Sequence, residues 1–331
     1  MKHANISIFV PHMGCTNDCS FCNQKHITGV NTQPTKEDID SAVEVAIKSK
    51  NYSSDNFEIA FFGGSFTAID REYMIYLLKA AYKYVKCGAV SGIRISTRPD
   101  AIDTEVLEIL SRYGVSAIEL GAQSMNDKVL AMNNRGHTAS DVIKASKLIK
   151  DFGFELGLQM MTGLYSDTDD SAIDTAEKII ELAPDTVRIY PTIVLRNTEL
   201  ERLYCLGVYT PQTLDSAVSL CVCLVSMFNK ANIKVIRLGL HSIEETAYVA
   251  GPWHPAFSEL CDSLRFYNLI TDSIDKNTLY DVEVNPSDIS KAIGQKRSNL
   301  QKMADDGYLI RIIQNNDVER NTIKVREVKR A

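Results

Sequence analysis

The 331-residue chain lacks any long run of apolar residues. A helix needs about 18 or more consecutive apolar residues to cross a bilayer, and no stretch of this sequence approaches that length. A targeting pattern is also missing at the N terminus, because the residues after Met1 run directly into a strand-like alternation. We therefore expect a protein with no membrane segment, no membrane partner and no leader before its fold.

An excess of positive charge is missing as well. The chain has 36 Lys and Arg against 42 Asp and Glu, a formal net charge of −6, which by itself argues against a nucleic-acid-binding protein. The charge is unevenly distributed, since residues 276–331 contain 11 Lys and Arg against 8 Asp and Glu. This mild asymmetry makes the C-terminal segment the more basic part of the chain.

Three cysteines lie close together near the N terminus, and no fourth follows in the same stretch. Cys15, Cys19 and Cys22 have the spacing CxxxCxxC, with Phe21 directly before the last cysteine. Cysteine thiolates are the usual ligands of iron–sulfur clusters, and a 4Fe–4S cluster held by three of them keeps one iron open. An open coordination position is typical of a catalytic metal site. The spacing therefore predicts a 4Fe–4S cluster with a reactive iron.

Two other interpretations of these cysteines fit the sequence less well. A structural zinc site needs a fourth ligand, which His26 would have to supply. A disulfide framework is typical of small secreted domains, whereas this chain is long and shows no secretory signal. The remaining cysteines are scattered, mostly in apolar stretches where a free cysteine packs as a small hydrophobic side chain: Cys87, Cys205, Cys221, Cys223 and Cys261. Free thiols in this number indicate a reducing cytoplasm.

Short β-rich runs alternate with amphipathic helical stretches along most of the chain. The predicted strands cover residues 6–12, 58–63, 92–97, 117–121, 155–160, 186–191 and 234–240. The predicted helices between them include residues 36–48, 72–85, 104–113 and 140–152. Such alternation produces βαβ units and a parallel sheet. Six or seven units predict an α/β fold, a partial (β/α)6-type barrel with its chemistry at the C-terminal ends of the strands.

Glycines and polar residues follow several of these predicted strands. Gly63 and Gly64 end the second strand, where the lack of side chains lets the backbone approach a charged ligand closely. Ser96 and Arg98 follow the third strand, and hydroxyl and guanidinium groups at a barrel mouth suit a ribose and a carboxylate. Gln123 follows the fourth strand. We expect these side chains to meet at the mouth of the barrel.

The CxxxCxxC motif with its aromatic residue resembles the signature of the radical S-adenosylmethionine (SAM) superfamily. The resemblance implies that the open iron binds the amino and carboxylate groups of SAM, and that an electron from the cluster cleaves SAM to methionine and a 5′-deoxyadenosyl radical. A reductant such as flavodoxin or ferredoxin would supply that electron. The resemblance also assigns a set of residues around SAM: Phe21, Gly63, Gly64, Ser65, Ser96, Arg98, Gln123 and Arg135.

Several longer motifs, in a fixed order between residues 6 and 241, are similar to the radical SAM core of the elongator catalytic-subunit family. They occupy residues 96–100, 119–124, 134–138, 189–192 and 195–198. In that family the core modifies the wobble uridine of tRNA through a carbon radical on an acetyl group. The resemblance therefore implies RNA, and tRNA in particular, as the substrate class.

The chain departs from that family in three places. It is too short to include the family's C-terminal acetyltransferase domain, and its cysteine spacing is shorter. No proline follows Gly163 and Leu164, where the family has one. We therefore expect the core chemistry to be retained and leave the identity of the substrate open.

Residues 273–331 form a second predicted unit, a small α+β domain after a core that covers residues 1–272. The expected order is a strand (280–284), a helix (286–293), a loop from Gly294 to Arg297, a helix to Ala304 and a strand (308–313). This order is the KH pattern, whose GxxG loop clamps a nucleic-acid backbone. Because Arg297 replaces the second glycine, a lid without an RNA role remains an alternative. Lys296 and Arg297 at a helix N terminus would still suit phosphates.

Two other functions remain open. Oxygen-independent coproporphyrinogen oxidase is a similar radical SAM enzyme, although its CxxxCxxCxC pattern is not matched, because Asn23 and Gln24 follow the third cysteine. The other alternative is a non-catalytic RNA-binding protein stabilised by a cluster or by zinc. His12 and His241 are candidate general acids or bases, and Trp253 is a candidate pocket residue.

Overall fold

A computed structural model describes residues 4–11, 19–22, 32–240 and 246–328 of the chain. Cys15 therefore lies outside the described residues, as do His12, His26 and His241. In the part of the chain that is described, no helix is both long and apolar enough to cross a membrane.

Seven parallel strands form the main sheet, and their order in space follows their order in the chain with one short strand skipped. The strands are β1 (Ala4–Val10), β2 (Phe57–Gly63), β3 (Gly92–Thr97), β4 (Val115–Gln123), β5 (Glu155–Thr162), β6 (Thr186–Pro191) and β8 (Lys234–Leu238). The short strand β7 (Val194–Leu195) pairs instead with β9 (Tyr248–Ala250), in antiparallel orientation. The sheet is curled, and β1 and β8 are the two ends of the order. The fold is therefore an open half-barrel. The predicted partial barrel is confirmed.

Helices cover the outside of this sheet and connect its strands. Those of the barrel are α1 (Lys36–Ile47), α2 (Arg71–Lys86), α3 (Thr104–Arg112), α4 (Asp127–Met132), α5 (Ala139–Asp151), α6 (Asp169–Glu181), α7 (Glu199–Cys205) and α8 (Leu214–Lys230). A Thr or Asp side chain caps the N terminus of each long helix by accepting a backbone N–H: Thr35, Asp70, Asp103, Thr138, Thr168 and Thr213. Such a cap satisfies N–H groups that have no partner inside the helix, so each helix begins at a defined residue.

The two faces of the sheet carry different side chains, as the period of two in a strand requires. On β3, Ile93 and Ile95 are fully buried in the core formed with the surrounding helices. Arg94, between them, points to the concave face, where it contacts Glu119 of β4. The apolar core therefore lies between the sheet and the helices, while the inside of the half-barrel is polar.

A second, smaller core follows the barrel. Helix α9 (Phe257–Thr271) leads into a three-stranded sheet of β10 (Leu279–Val284), β11 (Leu309–Gln314) and β12 (Ile323–Glu327), with α10 (Ile289–Ile293) and α11 (Ser298–Asp305) between the first two strands. The central strand β10 is parallel to β11 and antiparallel to β12. The α+β character of this segment agrees with the sequence interpretation, and β12 is an additional strand that it did not include.

Helix α9 belongs to both cores. Phe257 and Cys261, in its first half, pack in the barrel core. Phe266 and Ile270, in its second half, pack in the core of the small domain. The domain boundary predicted after residue 272 falls at the end of this shared helix, so the two cores are connected by a continuous element of secondary structure.

Candidate functional site

The cysteine loop is attached to two helices at the mouth of the barrel. Ser20 is fully buried, its N–H donates to the Asn133 carbonyl (3.1 Å), and its hydroxyl donates to Asn133 Oδ1 (2.6 Å). The N–H of Leu200, near the start of α7, donates to the Ser20 carbonyl (2.8 Å). These bonds hold Cys19 in a half-buried position and Cys22 in an exposed one.

Phe21, the aromatic residue of the motif, packs on a small apolar cluster beside the loop. That cluster contains Val194 of β7 together with Leu200 and Leu203 of α7. The ring thus attaches the cysteine loop to the segment after β6. Two of the three predicted cluster cysteines, Cys19 and Cys22, are described, and both lie on this anchored loop.

The end of β2 passes very close to the end of β1. Gly63 has φ of +116°, and a Cβ at this position would lie 2.4 Å from the Phe9 ring and 2.7 Å from the Val10 carbonyl oxygen. The N–H of Gly64 donates to the same carbonyl (3.0 Å). Only glycine fits such an approach at position 63. The predicted Gly63, Gly64 and Ser65 motif therefore lies beside the strand that leads into the cysteine loop.

The predicted residues after β3 have partners of their own. Ser96 Oγ lies 3.5 Å from Glu119 Oε2, at the limit of a hydrogen bond. Arg98 makes a two-pronged contact with Asp100, from Nε (2.9 Å) and Nη2 (2.6 Å). In this structure, the Arg98 guanidinium thus binds a carboxylate of its own turn.

Arg135 and Gln123 meet at the irregular end of β4. The strand register shifts between Gly121 and Gln123, and Gln123 has φ of +63°. Arg135 Nη2 donates to the Gly121 carbonyl (2.9 Å), and its Nη1 donates to Cys19 Sγ (3.3 Å). Two predicted SAM contacts and one predicted cluster ligand are therefore brought together here.

Two buried atoms at this point have no hydrogen-bond partner, namely Gln123 Oε1 and Arg135 Nε. A buried polar atom without a partner costs about 1–3 kcal/mol, so such atoms in a cluster indicate a missing polar ligand. An acceptor and a donor beside a cysteine of the cluster motif fit an amino-acid-like ligand next to an iron–sulfur cluster. The residues present are thus consistent with the predicted 4Fe–4S cluster and SAM.

A layer of charged side chains forms the inside of the barrel, and the sequence interpretation missed it. Arg94 bonds Glu58 from Nε (2.9 Å) and Glu155 from Nη2 (3.0 Å), and it lies 3.5 Å from Glu119. Arg188 of β6 bonds the same Glu119 at 2.8 Å. Burial alone would lower the pKa of Arg94, but the three carboxylates outweigh it and raise that pKa. A signal existed, since β3, β4 and β6 each place a charged residue among apolar ones at alternate positions.

His137, next to Arg135 in the same loop, is buried and faces the end of β4. Its Nε2 lies 3.1 Å from the Ala122 carbonyl. Burial, reinforced by the nearby charge of Arg135, lowers the pKa of His137 to about 4. The imidazole is therefore neutral at pH 7 and donates to this carbonyl.

The lowered pKa of His137 predicts a pH dependence of stability. Its ordinary value is 6.5, so between pH 6.5 and about 4 the unfolded chain binds a proton that the folded protein does not. The stabilisation is complete above pH 6.5 and is lost as the pH falls towards 4. At 1.36 kcal/mol per unit, the wild type should lose about 2 kcal/mol more than His137→Gln between pH 7 and pH 5. Urea unfolding at both pH values measures this difference, and parallel losses in the two proteins would contradict it.

Two family models match the chain. The model of the Radical SAM superfamily matches residues 9–179, and that of the Radical_SAM C-terminal domain matches residues 184–265. Together they extend from the end of β1 through the cysteine loop and the other strands of the half-barrel to the first half of α9.

Curated relatives match half to three quarters of the chain. The uncharacterized protein MJ0486 of Methanocaldococcus jannaschii is 30% identical over 75% of this chain and 74% of its own. A tRNA uridine(34) acetyltransferase of the same organism is 26% identical over 53% of this chain, and Elongator complex protein 3 of Homo sapiens is 31% identical over 54%. The matched regions are only 36% and 37% of those two relatives, so this chain is similar to a minor part of each.

Among solved structures, an N-terminally truncated Elp3 of the archaeon Methanocaldococcus infernus has a similar fold. The TM-score is 0.64 at 21% sequence identity, over 83% of this chain and 65% of that one. At this level of identity the likeness supports the fold alone.

Proposed function

Because this chain belongs to the radical SAM superfamily, we propose that it is an enzyme that cleaves SAM reductively with a 4Fe–4S cluster and acts on RNA, with tRNA as the favoured substrate. The observation that carries the proposal is the contact of Arg135 with Cys19 beside two buried polar atoms without partners. That arrangement lies at the C-terminal ends of the strands, where a parallel barrel places its chemistry.

The roles proposed for individual residues follow from their places at the barrel mouth. Cys15, Cys19 and Cys22 would hold the cluster. When bound, the cluster and SAM supply a 5′-deoxyadenosyl radical, with the electron drawn from a donor of the flavodoxin or ferredoxin type. The chain's own residues would hold SAM in one orientation before its cleavage, which lowers the entropic part of the barrier.

The strand ends would provide that orientation. The closely packed backbone at Gly63 and Gly64 presents peptide groups to the amino group of SAM, and Ser65 begins the turn that follows. Ser96 and Gln123 would face the ribose, and Gln123 Oε1 is the buried acceptor still available for it. Arg98 would have to leave Asp100, or to act through it, in order to contact a carboxylate of SAM.

The RNA part of the proposal is supported by two relatives. Their names describe a tRNA uridine(34) acetyltransferase and a protein of the Elongator complex, and they match 53% and 54% of this chain. Because the match ends well short of those proteins' full length, acetyl transfer is not part of this proposal. The substrate class is proposed, and the atom attacked is left open.

Anaerobic reconstitution with iron and sulfide, followed by dithionite reduction and assay for 5′-deoxyadenosine, tests the chemistry. We expect the product from the wild type, and more of it when bulk tRNA is added. Turnover of coproporphyrinogen instead of stimulation by tRNA would redirect the proposal to the porphyrinogen alternative. Bound zinc with no cluster and no product would leave a metal-stabilised binding protein.

The loop between α10 and α11 is a second point at which RNA would bind. Lys296 and Arg297 are exposed there, with φ of +51° and +65°, directly before the N terminus of α11. Gly294 packs this loop tightly, since a Cβ would lie 2.6 Å from Ser298 Oγ. Cations before a helix N terminus suit phosphate groups.

Neutralising this loop should weaken RNA binding mainly at low salt. The double variant Lys296→Gln/Arg297→Gln removes two phosphate contacts, so the slope of log K against log salt for single-stranded RNA should fall by about 1.4. Lys86→Gln, at the exposed end of α2, is a matched control that should leave the slope unchanged. Equal slopes for the double variant and the wild type would remove this loop from the RNA-binding surface.

A further inference from the structure

Arg135 differs from Arg94 and Arg188, which lie inside the barrel, because no carboxylate in the described residues pairs with it. Arg94 and Arg188 each bond a glutamate of the charged layer. Arg135 instead bonds a backbone carbonyl, Gly121 O, and a sulfur atom, Cys19 Sγ. Its positive charge thus lies beside a residue of the cluster motif, with no ion pair to a carboxylate of the described residues.

The position of Arg135 is set by the same turn that anchors the cysteine loop. Asn133 accepts from Ser20 on that loop, and its side-chain amide donates to the carbonyls of Val129 (2.8 Å) and Tyr165 (2.9 Å). The N–H of Arg135 donates to the Leu130 carbonyl (3.0 Å). The backbone of Arg135 and the cysteine loop are therefore held by connected hydrogen bonds, and the bond from Nη2 to the Gly121 carbonyl fixes the guanidinium itself.

We propose that Arg135 is a positioning residue that raises the reduction potential of the cluster by donating a charged hydrogen bond to the Cys19 sulfur. The inference rests on the proposed function, since it requires the cluster. Reduction adds negative charge to an iron–sulfur cluster, and hydrogen bonds to its sulfur atoms and nearby positive charge favour the reduced state. In a partly buried site this effect is screened less than in water.

This role differs from the SAM contact that the family resemblance assigns to Arg135. Both Nη atoms are engaged, one by sulfur and one by the carbonyl at the irregular end of β4. Nε is the guanidinium nitrogen without a partner, so its N–H is available to a ligand while the charge stays beside Cys19. The guanidinium thus acts on the cluster whether or not SAM is bound.

The midpoint potential of the reconstituted cluster, followed by electron paramagnetic resonance without SAM, tests the inference. Arg135→Gln keeps a donor and removes the charge. At the wild-type midpoint potential, its ratio of reduced to oxidised cluster should fall at least tenfold, which for one electron is a shift of about 59 mV to more negative values. Arg135→Lys restores the charge and should recover most of the shift.

A second variant tests the same charge without altering Arg135. The point where a Gly121 Cβ would lie is 2.9 Å from Gln123 Nε2 and 3.6 Å from Arg135 Nη2. Gln123→Glu therefore places a carboxylate near the guanidinium at almost constant volume, and the potential should shift in the same direction as in Arg135→Gln. If Arg135→Gln fails to assemble a cluster, the potential of Gln123→Glu still shows whether the charge of Arg135 affects the cluster.

The possible failures are distinguishable. Unchanged potentials in variants that carry a full complement of iron would overturn the role of Arg135 and leave the proposed function intact. A wild type that assembles no cluster would overturn both. An equal shift in Arg135→Lys and Arg135→Gln would show that packing, and not charge, sets the potential.

Discussion

Replacing Glu119 by leucine should lower the free energy of unfolding by about 3–5 kcal/mol. Glu119 is 1% exposed and accepts from Arg188 (2.8 Å) and from Gln159 Nε2 (3.0 Å). Without this carboxylate, Arg188 keeps a buried charge with no acidic partner among the described residues. Removing one member of a buried ion pair is strongly destabilising, because the other charge is left buried and unpaired. Urea unfolding of the wild type and the variant at pH 7 measures the effect.

Glu155→Leu is the matched control for this prediction. Glu155 also bonds Arg94, but its side chain is 35% exposed, and Arg94 keeps Glu58 when it is removed. The control should therefore lose less than about 1 kcal/mol, the usual worth of an ion pair open to solvent. Similar losses in the two variants would show that the charged layer is hydrated and that burial does not decide its energetics.

Replacing Cys19 by alanine should reduce the formation of 5′-deoxyadenosine to the background rate. Three thiolates are the minimum that keeps a 4Fe–4S cluster with one open iron, so the loss of one ligand should prevent stable assembly. Iron and sulfide content after anaerobic reconstitution, together with the product assay, measures both steps. The variant should also lose the charged hydrogen bond from Arg135.

Cys87→Ala provides the comparison for this loss. Cys87 is a free, exposed cysteine at the end of α2, distant in sequence from the motif. Its removal should leave iron content and product unchanged. Full activity in Cys19→Ala would contradict the proposed ligand set, whereas loss of activity in both variants would indicate damage unrelated to the cluster.

The strands and helices of the barrel were predictable because apolar residues recur with one period in strands and another in helices. Turn residues mark where one element ends and the next begins. Strands β3 and β6 have the predicted bounds, and the main helices agree within two residues at each end. Helix starts were readable because Thr and Asp residues cap them. The glycine pair at residues 63 and 64 was predicted to follow a strand, and the structure has it at the end of β2.

Contacts between distant parts of the chain were not predictable in the same way. The bond from Arg135 to Cys19 joins residues 116 positions apart, and nothing local to either position indicates it. The partner of Arg98 was also missed, although it lies close by in the sequence. Asp100 is only two residues away, but whether it turns back depends on the loop conformation after β3. Periodicity predicts which face a side chain occupies, and it does not predict its partner on that face.

The shared helix α9 has a consequence for substrate size. Its first half is fixed in the barrel core and its second half in the small core, so one continuous helix joins the barrel to the domain whose loop carries Lys296 and Arg297. A helix is stiff over its length, which keeps the spacing between the barrel and this loop nearly constant. Under the proposed function, an RNA that contacts both at once would be selected by the distance between its reactive base and its phosphates. We therefore expect short RNA fragments, which reach only one of the two points, to bind without selection for this distance.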